Sequence, residues 1–335
     1  MENFNRDITL SIIIPVYNSE AILTELVEHL VQILPGLCQA YEIILVNDGS
    51  RDGSWQVIQH LCSDVLRLRG INLTRNYGQH NALLCGIRIA QHDIIVTMDD
   101  DLQHPPEEIH RLLEKLAEGF DVVYGTPFKD QHGFWRDLAS RFTKLTLQNT
   151  MGAEVARHVS AFRAFRTKVR DAFANYQAPY VSIDVLLTWG TGRFAAIPVR
   201  QDPRRAGVSN YTFLKLMRHA VNMTTGFSTL PLRFASVLGF FFTFFGIGVL
   251  IYVVGRYIIQ GGSPPGFPFL ASTIAIFAGA QLFALGIIGE YLARMYFRTM
   301  NRPTYVVDKE VVSGLSPSFS KSAPPSPRSG KGLEG

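Results

Sequence analysis

Phe234 to Gly255 and Pro268 to Gly289 each run 22 residues without a charged side chain. At 1.5 Å per residue each run reaches about 33 Å as a helix, enough for a hydrocarbon core of about 30 Å. Helices that long and apolar all round are rare inside soluble domains, so the runs read as two transmembrane helices rather than core helices. The link between them, with GGSPPG inside it, is short and makes the pair a hairpin with both large flanks on one side. Arg204, Arg205, Lys215, Arg218 and Arg233 precede the hairpin and Arg294, Arg298 and Arg302 follow it, whereas Arg256 stands alone in the turn. That bias predicts an integral protein of the cytoplasmic (inner) membrane with its flanks in the cytoplasm. The first apolar run, Ile8 to Val16, is too short for a signal peptide and lacks the flanks of one.

The part before the hairpin has a different rhythm. LSIIIPVYN, YEIILVNDGS and HDIIVTMDDD are short β-branched stretches that end in polar or turn residues, the pattern of buried parallel strands. Helical spacing runs over Ala21 to Leu34, with Asn18 and Ser19 available as caps, over Asn76 to Ala90, and over Pro106 to Ala117, with proline in its first turn. Strand alternating with helix predicts a doubly wound, mostly parallel α/β layer, because parallel strands need crossover connections. A helix over Phe134 to Asn149, a strand over Val159 to Phe165, a helix over Val181 to Trp189 and a strand over Phe194 to Val199 complete it.

The expected organisation is a soluble domain over 1–200, a loop and amphipathic basic helix at the membrane interface over 201–233, the hairpin over 234–289, a cytoplasmic segment over 290–312, and a Ser-, Pro-, Gly- and Lys-rich disordered tail over 313–335. A net charge of +4, without a dense basic stripe, does not favour nucleic acid. Cys38, Cys62 and Cys85 lack metal-ligand spacing and read as small core residues.

In such a sheet, ligands bind beyond the carboxyl ends of the strands. Tyr17 and Asn18, Asp48, and the triplet Asp99, Asp100 and Asp101 all fall at such ends. Residues i and i+2 at a strand end point the same way, so Asp99 and Asp101 are expected to converge while Asp100 turns aside. That geometry suits Mg²⁺ or Mn²⁺, hard cations that bridge one or two carboxylates to substrate phosphates, with Gln103 adding an amide oxygen. On this reading Asp100→Ala is nearly silent. His80 and His104 lack metal-type partners and read as hydrogen-bonded turn residues.

PVYN at 15–18, VNDGSRDGS at 46–54, TRNYGQHNAL at 74–83 and DDDLQHPPEE at 99–108 together resemble family 2 of the glycosyltransferases, with its inverting GT-A fold. SAFRAF at 160–165, RRAGVSNYTF at 204–213, TLPLR at 229–233 and GEYLARMY at 289–296 narrow the resemblance to polyprenyl-phosphate glycosyltransferases. These include dolichyl-phosphate mannose synthases, O-antigen glucosyl carriers and undecaprenyl-phosphate aminoarabinose transferases; NYGQH is similar to the last group. The resemblance implies transfer of one sugar from a UDP- or GDP-sugar to a polyprenyl phosphate, undecaprenyl phosphate in a bacterium, for cell-surface glycan or lipid A modification. It implies that Pro15 and Tyr17 line the base, that Asp48 accepts from it, that Asp99, Asp100 and Arg204 meet the rest of the nucleotide, and that Asp99, Asp101 and Gln103 hold the metal. Arg136 and Ser140, one helical turn apart, match an acceptor-phosphate pair and join Asp99 and Asp101 as catalytic residues. A homo-oligomer, a flippase and a downstream transferase are left open as partners.

The chain departs from those relatives in places. Arg157 and His158 stand near a family aspartate, Pro127 and Phe128 stand near a family arginine with Lys129 as the remaining cation, Asn210 replaces a lysine, and Ser19 replaces a glutamate. Asp100 occupies a place where relatives usually have a small residue. An ionised lipid phosphate needs no strong general base, so a phosphate acceptor tolerates the loss of a carboxylate better than a hydroxyl acceptor does. A catalytically silent scaffold of the same fold and a processive polysaccharide synthase are the alternatives; the latter needs more spans and a QxxRW motif, neither of which is present.

Overall fold

The computed structural model describes residues 7–127, 159–177, 181–202, 230–260, 266–300 and 302–313. Strand β1, Thr9–Val16, is buried from Leu10 onward, which is why its sequence is nearly continuous hydrocarbon rather than alternating. It pairs in parallel with β2, Ala40–Asn47, on one side and β4, Ile94–Thr97, on the other, and β2 pairs in parallel with β3, Leu68–Leu73. The chain therefore steps outward from β1 through β2 and β3, then returns to the opposite side of β1. The crevice where the direction reverses lies at the carboxyl ends of β1 and β4.

Four more strands complete the sheet: β5, Val122–Pro127, β6, Arg163–Arg166, β7, Phe194–Val199, and β8, Val307–Val312. The order across the eight strands is β7-β5-β6-β4-β1-β2-β3-β8. β6 runs antiparallel to β4 and β5, and β8 antiparallel to β3; the other pairings are parallel. The expected doubly wound layer is present, with two antiparallel insertions.

Helices α1, Leu23–Leu37, α2, Ser54–Asp64, and α4, Ile109–Ala117, cover one face over Leu10, Ile12 and Ile14. Helices α3, Gln79–Ile89, and α5, Ile183–Gly190, cover the other over Ile13, Ile44 and Val46. α1 buries Leu23, Leu26, Val27, Leu30 and Leu34, each worth roughly 1.5–3 kcal/mol of transfer free energy. Cys38, Cys62 and Cys85 are buried in these two cores, and burial pushes their thiols up to about 11, 12 and 12.

Several boundaries differ from expectation. Asn18 and Ser19 do not cap α1, whose N-cap is Ile22 without a side-chain bond. Their side chains are engaged elsewhere, on the Arg51 N–H and on Asp100. α3 begins at Gln79 because Gly78, at φ 95, breaks the helix before it. Pro106–Glu108 form a 3-10 turn before α4. The helices expected over 134–149 and 211–227 lie outside the described residues.

Helices α6, Leu230–Gln260, and α7, Phe267–Thr299, exceed the charge-free runs at both ends. The windows Phe234–Ile259 and Ile276–Ala293 have mean hydropathies of 2.5 and 1.6, and neither is buried in protein, so these are not core helices. That much exposed hydrocarbon calls for lipid. The two helices meet through Phe242, Phe245 and Phe277, with Phe242 and Phe277 edge to face at 5.8 Å. Ser236 and Thr243 return their hydroxyls to the carbonyls of Leu232 and Gly239, as a polar group in lipid requires.

The segment 290–312 is not a separate unit. Its first part continues α7, and its last part is β8, which extends the sheet at the β3 edge with an Arg69–Glu310 ion pair and an Asn72–Asp308 bond. Tyr305 and the buried Thr304 dock against Arg88 of α3, whose guanidinium lies 5.5 Å from the Tyr305 ring. The catalytic-side sheet is thus held by chain on both sides of the hairpin.

Candidate active site

Pro15 is buried as the next-to-last residue of β1, and Tyr17, 42% exposed, follows Val16 at the mouth of the crevice. Asn18 takes the left-handed conformation, φ 55, that reverses the chain there. The turn is stitched to the one after β2: the Asn18 N–H donates to Ser50 Oγ at 3.0 Å, the Arg51 N–H to Asn18 Oδ1 at 2.8 Å, the Ser19 N–H to Ser54 Oγ at 2.9 Å, and the Gly53 N–H to Glu20 Oε2 at 2.9 Å. Two strand ends therefore present one bonded rim.

Asp48 sits within that rim, only 3% exposed. Its two oxygens accept the backbone N–H groups of Tyr77 at 2.7 Å and Gly78 at 2.8 Å, at the start of α3. Burial pushes the carboxyl up to about 6, against the lowering effect of those two bonds. Gly49 makes the approach possible: at φ 65, a Cβ there would lie 2.5 Å from the backbone of Arg75 and Asn76. Tyr77 also places its ring under the Arg75 guanidinium, 4.7 Å away.

The acidic loop departs from the expected strand end. β4 stops at Thr97, and Leu102 at φ 56 turns the chain, so the alternation of a strand does not govern Asp99 to Asp101. Asp99 accepts from the Gln79 amide of α3. Asp100 does turn away, but not to idle in solvent: its Oδ2 accepts the Tyr17 N–H at 3.1 Å and the Ser19 hydroxyl. Burial, with the neighbouring charge of Asp101, raises its pKa in spite of those bonds. Near-silence of Asp100→Ala is not what this geometry supports. Asp101 is buried and accepts the Gln103 N–H at 3.1 Å.

Gln103 Oε1 accepts from the Gln201 amide at 2.9 Å, and the Gln103 backbone carbonyl accepts the Asp202 N–H at 2.8 Å. The stretch after β7 is thereby held on the acidic loop two residues before Arg204. Arg136, Ser140 and Arg204, with the departures at 128–129, 157–158 and 210, lie outside the described residues. Pro15 and Tyr17 lie at the end of β1, Asp48 at the end of β2, and Asp99, Asp100, Asp101 and Gln103 after β4, all on the carboxyl-end rim of the sheet.

Among the described residues, no three Asp, Glu, His or Cys side chains converge to hold a metal. The loop carries two carboxylates, Asp99 and Asp101, and the amide of Gln103, oxygen donors of the chemical kind that suits a hard divalent cation completing its shell with water and phosphate. Gln79 and Gln201, which orient Asp99 and Gln103, escaped the sequence reading; Gln79 stood inside NYGQH but carries no charge to draw attention. His104 is not the hydrogen-bonded turn residue expected: it is 8% exposed, stacks on Phe162 at 5.2 Å, and neither ring nitrogen has a hydrogen-bond partner among the described residues. Burial holds its pKa below the usual histidine range, despite the pull of Asp101. His80 is bonded, but from within α3, where its Nδ1 accepts the Ile183 N–H at 3.3 Å.

The sequence profile of the family described as Glycosyl transferase family 2 matches residues 11–173. The chain is 35% identical over 319 residues to an undecaprenyl-phosphate 4-deoxy-4-formamido-L-arabinose transferase of Aeromonas hydrophila, covering 94% of this chain and 98% of that one. An enzyme of the same name from Enterobacter sp. is 35% identical over 316 residues, covering 93% and 96%. The crystal structure of glucosyl-3-phosphoglycerate synthase from Mycobacterium tuberculosis, in complex with Mn²⁺ and UDP-glucose, superposes with a TM-score of 0.49 at 18% identity, over 65% of this chain and 78% of that one.

Proposed function

The chain belongs to glycosyl transferase family 2, and on that premise we propose that it moves a single sugar from a UDP- or GDP-sugar to a polyprenyl phosphate, with inversion, at the cytoplasmic face of the inner membrane. The observation that carries this reading is the extent of the likeness: it covers 94% of the chain, hairpin included, at 35% identity to an undecaprenyl-phosphate transferase. A hydroxyl-acceptor enzyme has no need of that hairpin, whereas a lipid phosphate is presented at the membrane surface, beside a domain held there by α6 and α7.

The nucleoside would lie between Tyr17, Pro15 and Asp48, with Asp48 accepting from the base. Asp99, Asp101 and Gln103 would hold Mg²⁺ or Mn²⁺, and Arg204 would meet the diphosphate. The cation, when bound, supplies positive charge to oxygens that gain negative charge as the nucleoside diphosphate leaves. Arg136 and Ser140 would take the acceptor phosphate. That phosphate is ionised at neutral pH, so no residue of the chain has to remove a proton for attack on the sugar carbon; orientation is the main task.

Membranes containing the protein, incubated with undecaprenyl phosphate and a panel of UDP- and GDP-sugars, should yield one glycosylated lipid phosphate by mass spectrometry. Failure with every donor, together with no binding of nucleotide and Mn²⁺ in a calorimetric titration, would leave a scaffold of the same fold.

A further inference from the structure

Asp100 lies between two carboxylates assigned to the cation, yet its own side chain belongs to the other half of the crevice. Its Oδ2 accepts both the Tyr17 N–H, at 3.1 Å, and the Ser19 hydroxyl. Both donors sit on the turn after β1, and that turn is bonded at five points to the turn carrying Ser50 to Ser54. A backbone shift at Asp99 to Asp101 is therefore passed by one side chain to the backbone of Tyr17, whose ring is the exposed platform of the rim.

We propose that Asp100 is a positioning residue that couples the two half-sites, so that a cation on Asp99 and Asp101 and a nucleoside on Tyr17 favour one another's binding. This rests on the reading of the crevice as a nucleotide-sugar site, and it adds that the base pocket and the cation pocket are not independent. A cation that draws in Asp99 and Asp101 fixes the loop between them. Asp100 then fixes the Tyr17 backbone, and a nucleoside meets a platform whose ordering cost has already been met. Such coupling is reciprocal: whatever factor the cation contributes to nucleoside affinity, the nucleoside contributes to cation affinity. In this chain the carboxylate at 100 and the serine at 19 form one bonded pair.

The test uses uridine and guanosine, which carry no phosphate and so cannot bridge to the ion. Calorimetric titration of the full-length protein in detergent should give a nucleoside affinity that rises about 5-fold or more on adding Mn²⁺, within the usual range of coupling between sites. The Mn²⁺ affinity should rise by the same factor with nucleoside present. Asp100→Ala should abolish that factor, and Asp100→Asn, which keeps an acceptor for the Tyr17 N–H, should restore part of it. Ser19→Ala, which removes only the second bond, should reduce it and serves if Asp100→Ala does not fold. Nucleoside affinity indifferent to Mn²⁺ in the unaltered protein, or full coupling retained in Asp100→Ala, overturns the proposal. If neither UDP nor GDP binds with Mn²⁺, the nucleotide-site reading itself falls, and the coupling with it.

Discussion

Arg163 on β6 donates its guanidinium to the carboxylate of Asp184 on α5, in an ion pair whose side chains are 2% and 12% exposed. The Tyr124 phenol donates to the same oxygen at 3.2 Å, and Arg163 Nε donates to Thr97 Oγ1 at 3.1 Å. Four elements thus meet at one buried charge pair directly beneath the end of β4. Removing one partner leaves an uncompensated charge in the core, so Asp184→Ala should cost roughly 3–5 kcal/mol. Arg163→Met with Asp184→Leu should cost much less, since neither charge is then stranded. Denaturant unfolding of the detergent-solubilised protein, followed by circular dichroism, reads both; equal losses would show that the pair acts only through its packing.

Arg88 ties the returning C-terminal segment to the catalytic domain. Its Nε donates to the Ala174 carbonyl at 3.1 Å, Nη2 to the Tyr176 carbonyl and Nη1 to Thr304 Oγ1 at 3.4 Å, with the Tyr305 ring beside it. Bonds from a charged group contribute roughly 1.5–3 kcal/mol each where they are well made, and the long one to Thr304 falls short of that. Arg88→Ala should loosen the segment by about 2 kcal/mol, an approximately 30-fold faster amide exchange over 304–312 with β1 and β2 unchanged. Exchange rising equally in β1 would mean that β8 does not open independently.

The part of this architecture that was legible in advance is the part set by local pattern. Ile12 to Ile14 and Ile43 to Val46 read as buried parallel strands because both faces of that sheet are covered. The charge-free runs read as spans because no soluble core needs them. β8 was not legible: Val307 to Val312 sets three consecutive charged residues, Asp308, Lys309 and Glu310, among valines with no strand alternation, and its partner, β3, lies more than 230 residues earlier. The Arg163–Asp184 pair was hidden for the same reason, since nothing in SAFRAF says which carboxylate it will meet. At the site, residue identity at 99–103 was readable, but orientation was not, because it depends on where β4 stops and on the positive φ of Leu102.

On the proposed function, Asp48 would give the nucleotide site a pH dependence. Its carboxyl, pushed up to about 6 by burial, is ionised above that value and able to accept from a base N–H. A carboxyl raised in the folded state contributes stability at acid pH that is lost as pH rises through about 6, so acid favours the protonated fold and disfavours the acceptor. Nucleoside affinity should therefore be flat above pH 7 and fall toward tenfold per pH unit below about 6. Uridine and guanosine are the probes of choice because they carry no phosphate to titrate in the same range. Affinity unchanged between pH 7.5 and pH 5 would remove Asp48 from the base contact.

If Asp101 holds a cation as proposed, Asp101→Ala separates that role from the fold. The side chain is 8% exposed and accepts the Gln103 N–H. Losing that bond costs about 1 kcal/mol, but losing the charge beside Asp100 relieves a repulsion that opposes ionisation there. The two effects oppose each other, so stability without metal should change by less than about 1 kcal/mol. Transfer should nevertheless fall by about 10²-fold or more, the usual scale for removing a group that stabilises charge in the transition state. UDP and GDP should bind the variant equally with and without Mn²⁺, and excess chelator should bring the unaltered protein to the same level. A variant that keeps Mn²⁺-dependent nucleotide affinity and full transfer would take Asp101 out of the donor set and leave Asp99 and Gln103 as its remaining protein ligands.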